Sequence, residues 1–277
     1  MPQAGAMRVE VAEVVFDVGP DRLLTEAERA ALIALDQSGS VHSAQGPGIR
    51  LEIVPGDRID DPRGETPENG PAAVLEIDGR IRLRHAKFEA ELEPLRRKVR
   101  LQRDPSTSAP LEVTLRTALC CALPLERAVA LHAAGIVIDG RGAVFFGPSG
   151  AGKTTLSRSS PHPVLSDELV VVSGRPWKLR PSGAWGELGT QATSPVAAPL
   201  QFLAALEKGS DPVLTPLEPD DAIRKLLGVV VLPPSARLWE RAFGVIAELV
   251  RTVPTYRLEW CPSTPPWQTL ERTTFRK

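Results

Sequence analysis

The stretch VFFGPSGAGKTTLSR, residues 144–158, decides the fold because an apolar run meets a glycine-rich loop and then the start of a helix. The residues that match the phosphate-loop pattern G-x-x-x-x-G-K-[ST] are Gly147, Pro148, Ser149, Gly150, Ala151, Gly152, Lys153 and Thr154. Glycines let the backbone turn so that successive N–H groups point at phosphate oxygens, and the positive end of the helix dipole adds to the attraction. The stretch therefore predicts a nucleotide-binding loop.

The side chains at the end of this loop suit a nucleoside triphosphate with a divalent cation. Lys153 supplies a point charge that can bridge the β- and γ-phosphates, and the hydroxyl of Thr154 can ligate Mg²⁺. Thr155 either contacts the α-phosphate or continues the helix. We therefore expect ATP and Mg²⁺ as cofactors, with Lys153 serving in both binding and catalysis.

The chain on either side of the loop predicts strands. VALHAAGIVIDGRGAVFFG, residues 129–147, holds two apolar runs joined by a turn, so the loop follows the second strand of a hairpin. Downstream, VLSDELVVVSG at residues 164–174 predicts a strand that carries Asp167 and Glu168. Because neighbours on a strand point to opposite faces, both acids can share one site only if the chain turns between the two halves of this segment.

The remaining C-terminal sequence predicts three helices and a closing strand. PLQFLAALEKG, residues 199–209, is expected to be a helix that ends at Gly209, and a second helix runs from Asp220 to Gly228. YRLEW, residues 256–260, is expected to be a strand. The third helix is capped by Ser235, with Leu238, Ala242, Phe243, Ile246 and Leu249 facing inward.

The N-terminal sequence predicts mostly strands. Residues 7–19 begin with alternating apolar positions, and IRLEIVPG at 49–56 is a further strand. Thr25 and Glu28 form a capping box that starts a short helix. Residues 55–71 contain almost no apolar side chains and predict a long loop.

The hairpin predicted around Asp78-Gly79 leads into a strand with a basic face. Arg80, Arg82 and Arg84 alternate with apolar residues, and two interpretations stay open. The face either binds an acidic partner or a phosphorylated product, or it is solvated and balanced by nearby glutamates. These glutamates are Glu89, Glu91 and Glu93.

A linker predicted at residues 103–110 divides the chain. We expect a β-rich N-terminal domain over residues 1–110 and an α/β P-loop domain over residues 111–277, so the fold class is α/β with a mixed sheet.

Composition restricts the partners. The 277-residue chain has a net charge of −1, which gives no overall field for nucleic acid or an anionic membrane. Its start has no signal-peptide pattern, and its three cysteines are expected to be reduced thiols. We therefore expect a cytoplasmic protein without nucleic-acid or membrane partners, and we leave self-association into a homo-oligomer open.

Several classes of P-loop protein lack support. A transporter ATPase needs an LSGGQ-like loop, and a small GTPase needs an NKxD-type motif; the sequence contains neither. Guanylate- and shikimate-type kinases begin their parallel sheet at the P-loop strand, without a preceding antiparallel hairpin. Carboxykinase-like chemistry needs extra metal-binding His and Lys residues before the loop, and only His132 is available for that role.

LHAAGIVIDGRGAVFFGPSGAGKTTL together with VLSDELVVV resembles HPr kinase/phosphorylase and its relatives, whose fold is shared with phosphoenolpyruvate carboxykinase. The resemblance covers roughly residues 112–260 and includes a His at the start of the hairpin, the P-loop and a strand entered through paired acids. The later sequence is also similar to HPr-kinase-related proteins. The resemblance implies a P-loop kinase core of this type with ATP bound at the loop.

The resemblance also implies roles for the acids and the histidine. Asp167 takes the position of the general base and a metal ligand, Glu168 that of a Mg²⁺ ligand, and His132 either orients Asp167 or contacts the transferred phosphate. The implied reaction is transfer of the γ-phosphate of ATP to a hydroxyl, on Ser of a peptide or protein or on a small-molecule alcohol.

Two departures from the family pattern support an alternative function. Glu168 stands where the family usually has Asp, and Pro161 and Pro163 shorten the helix after the loop. The alternative is a nucleotide-binding regulatory or scaffold module without phosphotransfer. A further segment, residues 175–189, either forms a wall of the acceptor pocket or is a surface loop anchored by tryptophans. Its candidate residues are Arg175, Trp177, Lys178, Arg180, Trp185 and Glu187.

Overall fold

The computed structural model describes residues 5–36, 47–56, 71–103, 109–182 and 197–272. Contacts between residues divide the chain into two compact units. Unit 1 comprises Met1–Leu125 with Pro233–Trp239, and unit 2 comprises Glu126–Leu232 with Glu240–Lys277. The fold is α/β with mixed sheets in which strands predominate. Most of the loop predicted at 55–71 and of the linker predicted at 103–110 lies outside the described residues.

In the part of unit 1 that the structure describes, there are seven strands and two α-helices. The strands are β1 (Met7–Val11), β2 (Val14–Gly19), β3 (Ile49–Pro55), β4 (Ala73–Ile77), β5 (Arg80–His85), β6 (Phe88–Glu93) and β7 (Lys98–Arg103). The helices are α1 (Glu26–Leu35) and α2 (Ala109–Ala122). Whereas the linker predicted a division near residue 110, α2 packs on β6 and β7 and belongs to unit 1.

The sheet of unit 1 has the order β1-β2-β3-β7-β6-β5-β4. Strand β3 pairs in parallel with β2 and β7, and the other pairs are antiparallel. The predicted capping box of α1 is present, because Thr25 Oγ1 accepts from the Glu28 N–H at 3.2 Å and Glu28 Oε2 accepts from the Thr25 N–H at 2.8 Å. Glu28 also forms a buried ion pair of 2.7 Å with Arg103.

The basic strand face of unit 1 is balanced by the facing glutamates. Arg82 and Arg84 pair with Glu91 and Glu89 at 3.0 and 3.3 Å. The register places Arg82 opposite Glu91 and Arg84 opposite Glu89, so each pair crosses from β5 to β6. The interpretation as a charge-balanced solvated face therefore fits this part of β5, and Arg80 is considered with its surroundings below.

Unit 2 contains the remaining strands and most of the remaining helical residues. The strands are β8 (Ala128–Ile138), β9 (Arg141–Phe146), β10 (Val164–Ser166), β11 (Leu169–Ser173), β12 (Lys178–Pro181), β13 (Ala198–Lys208), β14 (Val213–Pro216) and β15 (Thr255–Trp260). The helices are α3 (Lys153–Arg158), α4 (Pro219–Leu227), α5 (Ala236–Thr252), whose first residues belong to unit 1, and α6 (Trp267–Leu270).

The strand pairings of unit 2 close on themselves. β8 pairs with β9, β9 with β13, β13 with β12, β12 with β11, and β11 again with β8. Leu179 of β12 packs against the backbone of this circuit, because a Cβ on Gly142 would lie 2.8 Å from Leu179 Cβ and one on Gly135 would lie 3.2 Å from Leu179 Cδ2. Glycine is needed at both positions because any side chain would overlap its neighbours.

The segment at 199–209 is a strand, and the predicted helix there is wrong. β13 pairs in parallel with β9 on one side and with β15 on the other, so it is central in the sheet. Its middle residues are buried on both faces, which replaces the usual alternation with a continuous apolar run. Such a run cannot be told from a buried helix by periodicity alone.

The other predicted elements of unit 2 are present with smaller differences. α4 and β15 lie where they were expected, and α5 follows Ser235. Phe243, however, is 44% exposed, so its prediction as an inward-facing residue is wrong. Each residue advances about 100° around a helix, which turns Phe243 away from the buried side that includes its neighbour Ala242.

Candidate functional site

The predicted phosphate loop leaves the carboxyl end of β9 and enters α3 at Lys153. Gly150 and Gly152 have φ values of 77° and 98°, in the left-handed region that favours glycine. A Cβ on Gly152 would lie 3.1 Å from Cζ2 of the Trp260 side chain, and one on Gly147 would lie 2.9 Å from Ala151 Cβ. The glycines therefore permit both the turn of the loop and its close packing.

Lys153 lies inside the curve of the loop. Its ammonium donates to the carbonyl oxygens of Gly147 at 2.9 Å and Pro148 at 3.2 Å. The side chain is mostly buried, and this desolvation lowers the pKa of Lys153 from its ordinary value. A buried cation held by two neutral carbonyls retains a strong attraction for a nearby anion.

The two acids lie in a turn between two strands, whereas the sequence predicted a single strand there. β10 ends at Ser166 and β11 begins at Leu169, and Ser166 Oγ accepts from the N–H groups of Glu168 at 3.2 Å and Leu169 at 3.1 Å. A serine that accepts from backbone amides two and three residues ahead stabilises such a turn. The strand is therefore interrupted at Asp167 and Glu168, which meets the condition for both acids to share a site.

His132 is brought to the same place by β8. It pairs in register with Leu169, and the N–H of the next residue, Ala133, donates to the Glu168 carbonyl at 3.0 Å. Ala133 is also the register partner of Phe146, the last residue before the phosphate loop. Since neighbouring strands lie about 4.8 Å apart, only the width of β8 separates the end of β9 from the acidic turn.

The predicted residues converge on one pocket of about 340 Å³. Its lining residues are His132, Ser149, Gly150, Gly152, Lys153, Thr154, Thr155, Asp167 and Glu168. Gly147, Pro148 and Ala151 do not line it, and Gly147 and Pro148 instead supply the carbonyls that hold Lys153. The pocket therefore combines amide donors, one cation, hydroxyls, two carboxylates and an imidazole.

The acids and hydroxyls of the pocket fit one divalent cation shared with phosphate. Among the described residues there is no cluster of three or more His, Cys, Asp or Glu side chains able to hold a metal on their own. Mg²⁺ usually takes only one or two carboxylates from the protein, with phosphate oxygens and waters completing its shell. Thr154, Asp167 and Glu168 supply that donor set within the pocket.

The described part of the candidate acceptor wall, residues 175–182, does not line the pocket. Arg175 forms an ion pair with Glu248 of α5, and the Trp177 indole donates to Thr252 Oγ1 at 2.8 Å. The Arg180 guanidinium donates to Ser173 Oγ at 2.9 Å. Ser173 is the last residue of β11, whereas the acidic turn precedes its first residue. Accordingly, Arg175, Trp177, Lys178 and Arg180 do not line the pocket. Trp185 and Glu187 lie outside the described residues.

Two supporting residues were missed from the sequence. Ser166 could have been recognised, because serine before a polar pair is a turn signal. Trp260, which packs against Gly152, follows an ordinary strand pattern and carries no local signal for that contact.

No family model matches this chain, and the search of curated proteins finds no match. No helix in the described ranges is long and apolar enough to cross a membrane.

Proposed function

We propose that the protein is an ATP-dependent kinase that transfers the γ-phosphate to a hydroxyl group. The acceptor is Ser of a peptide or protein, or a small-molecule alcohol. The observation that carries the proposal is that the phosphate loop and the acids Asp167 and Glu168 line the same pocket. A loop that only binds phosphate would not require two carboxylates, because their negative charges repel a triphosphate. Two carboxylates are useful there if they bind a cation or accept a proton.

The loop would bind the triphosphate through its backbone. The amides of the loop residues that line the pocket, together with the dipole of α3, would attract the phosphates. Lys153 would exchange its carbonyl partners for β- and γ-phosphate oxygens. The Thr154 hydroxyl and one carboxylate would hold Mg²⁺, which neutralises charge on the phosphates during transfer. Both sets of contacts stabilise the charge that develops in the transition state.

Asp167 is proposed as the general base. It is only 4% exposed but lines the pocket, so the acceptor hydroxyl can approach its carboxylate while bulk water is limited. Its carboxylate would accept the hydroxyl proton as the oxygen attacks phosphorus. Glu168, which is more exposed, remains for the cation.

His132 is proposed to assist at the open side of the pocket. Its side chain is exposed, while its backbone is fixed because its N–H donates to the Val229 carbonyl at 2.7 Å. It can therefore orient Asp167 or donate to the transferred phosphate without movement of β8. The resemblance to the HPr kinase/phosphorylase family supports these assignments and extends the proposal to the kinase-type core.

A nucleotide-binding module without phosphotransfer is the second candidate. The short α3, which spans Lys153–Arg158, and Glu168 in place of Asp favour it. Such a module would bind ATP as well as the kinase but would tolerate replacement of the acids.

The test compares wild type with Asp167→Asn. ATP consumption and phosphorylated product are measured with serine peptides and small alcohols, and ATP affinity is measured separately. We expect turnover to fall by about 10²-fold or more, the usual contribution of a general base, with ATP affinity reduced far less. Asp139→Asn, at the exposed β8–β9 turn, is the matched control because Asn tolerates its φ of 49°. Equal turnover in wild type and Asp167→Asn, or ATP binding without any product, would favour the second candidate.

A further inference from the structure

We propose that β4, the outer strand of the unit 1 sheet, binds an extended acidic segment of a partner protein as an added strand. β4 ends the strand order and pairs on one side only, with β5, among the described residues. An edge strand offers backbone N–H and C=O groups to a new strand. The proposal concerns unit 1 alone and is independent of the nucleotide site.

The exposed side chains of β4 are unusual for a free edge. Val74, Leu75 and Ile77 are 45%, 44% and 48% exposed. Leu75 and Ile77 pair in register with Arg82 and Arg80, so they lie on the charged face of the sheet and not on its core face. Free edges of soluble proteins usually carry charges or prolines that prevent pairing. An apolar edge of this kind favours a partner.

The backbone of β4 has donors available for that partner. Asp78 and Gly79 both have positive φ, which is typical of a two-residue type I′ turn. In this turn the flanking pair, Ile77 and Arg80, exchanges the hydrogen bonds of the hairpin, and alternate residues point outward. The N–H groups of Val74 and Glu76 therefore face the free edge.

A charged cavity of about 450 Å³ adjoins the end of β4. Its charged lining consists of four guanidinium groups and two carboxylates: Arg80, Arg82, Arg96, Arg237, Asp78 and Glu93. Three of these arginines are within 3.2 Å of glutamate oxygens. Arg237 forms neither an ion pair nor a hydrogen bond with the described residues, so the cavity has an excess of positive charge for an acidic ligand.

This charge favours an acidic peptide over a second copy of the chain. A second β4, with the sequence AVLEI, would supply only the acid Glu76. The Glu76 carboxylate already accepts from the Ala236 N–H at 3.3 Å. An extended peptide with alternating apolar and acidic residues would pair with the β4 backbone, place its apolar side chains beside Val74 on the other face, and bring its carboxylates to the charged face beside Arg237.

The test uses the full-length protein and a fluorescein-labelled nonapeptide in which valine and glutamate alternate. Binding is followed by fluorescence anisotropy, with a peptide that has lysine in place of glutamate as the charge control. Val74→Pro removes one outward N–H, and Pro is tolerated on edge strands. Arg237→Glu reverses the available charge, and Arg251→Glu, at an exposed site near the end of α5, is the matched control.

We expect Val74→Pro and Arg237→Glu each to raise the Kd for the glutamate peptide about tenfold or more. Arg251→Glu should bind as wild type does, and the lysine peptide should not bind. Arg237→Glu alone keeps the test valid if Val74→Pro does not fold. Absence of binding to wild type, or equal affinity in all variants, would overturn the proposal. A wild-type dimer in sedimentation that Val74→Pro converts to monomer would assign the edge to a second copy instead.

Discussion

Lys153 carries its charge in a place from which water is largely excluded. Burial lowers its pKa below the ordinary 10.5, so the unliganded folded chain holds this proton less tightly than the unfolded chain. Two carbonyl oxygens partly offset the lost hydration. The loop therefore keeps a cation ready at a cost in stability that a bound phosphate would remove.

This cost predicts a pH dependence for the stability of the unliganded protein. Between the lowered pKa and 10.5, the unfolded chain binds more protons at Lys153 than the folded chain does. The free energy of unfolding should therefore gain a positive contribution as pH rises through that window. Lys153→Met should remove this contribution and should also weaken ATP binding.

Urea unfolding from about pH 7 to pH 10, within the range where folding stays reversible, measures the effect as a difference in slope between wild type and variant. Lys178→Met, at an exposed site, is the control and should retain the wild-type slope. The same slope in Lys153→Met as in wild type would contradict the prediction.

The residues of the candidate site were largely predictable, because loop and acids belong to short patterns with a chemical requirement. The sequence predicts Lys153, Asp167 and His132 as site residues, and all three line one pocket. Ser166 was missed because the acids were assigned to a continuous strand, although its hydroxyl bonds form the turn. The contact between Trp260 and Gly152 could not be predicted, because it depends on which strands lie side by side in the sheet, and these strands are far apart in the sequence.

At the scale of elements, hairpins and capped helices followed local rules, whereas β13 did not. The turns at Asp78-Gly79 and Asp139-Gly140 require positive φ, and both hairpins are present. The alanines and leucines of β13 suit a helix locally, but its place between β9 and β15 requires an extended chain with two apolar faces. That requirement comes from the sheet and is absent from the segment itself.

The close packing of Leu179 predicts a difference between two glycines. Gly142→Ala should destabilise the protein by about 1–3 kcal/mol, the usual range for overpacking, because its Cβ would lie 2.8 Å from Leu179 Cβ. Gly244→Ala, in α5 with no atom within 4 Å of the added Cβ, is the matched control. The control should be stabilised by about 0.5–1 kcal/mol through reduced backbone entropy.

Urea denaturation at equilibrium measures both changes. Addition of Leu179→Gly to Gly142→Ala should show a coupling energy, since it removes the Cβ that the added methyl group would meet. Equal free energies of unfolding for the two glycine variants would contradict the prediction, because they would show that the paired strands accommodate the added methyl group without loss of stability.

At the scale of the whole molecule, each unit has its own sheet and its own buried residues. The buried core of unit 2 gathers around β8, β9 and β13, whereas that of unit 1 includes β3 and β7. The proposed nucleotide pocket consists of unit 2 residues alone. Ligand binding stabilises the elements that form the site.

We therefore predict that a non-hydrolysable ATP analogue slows amide hydrogen exchange mainly in unit 2. The expected segments are residues 147–156 and 166–169, which contain the loop and the acidic turn. Hydrogen-exchange mass spectrometry with and without the analogue measures this, and Lys153→Met should lose the protection. Equal protection of the β3 and β7 amides would show that the ligand acts on both units.

Strand β8 lies between β9 and β11 and pairs with both. At Ala133 it meets the end of β9 on one side and Glu168 on the other, so this single strand sets the distance between the glycine-rich loop and the acidic turn, the two halves of the candidate site. Residues inserted in the β8–β9 turn, at the far end of the pair, would leave that distance unchanged. One residue inserted beside Ala133 would shift the two halves by about 3.4 Å, which would abolish the proposed phosphoryl transfer.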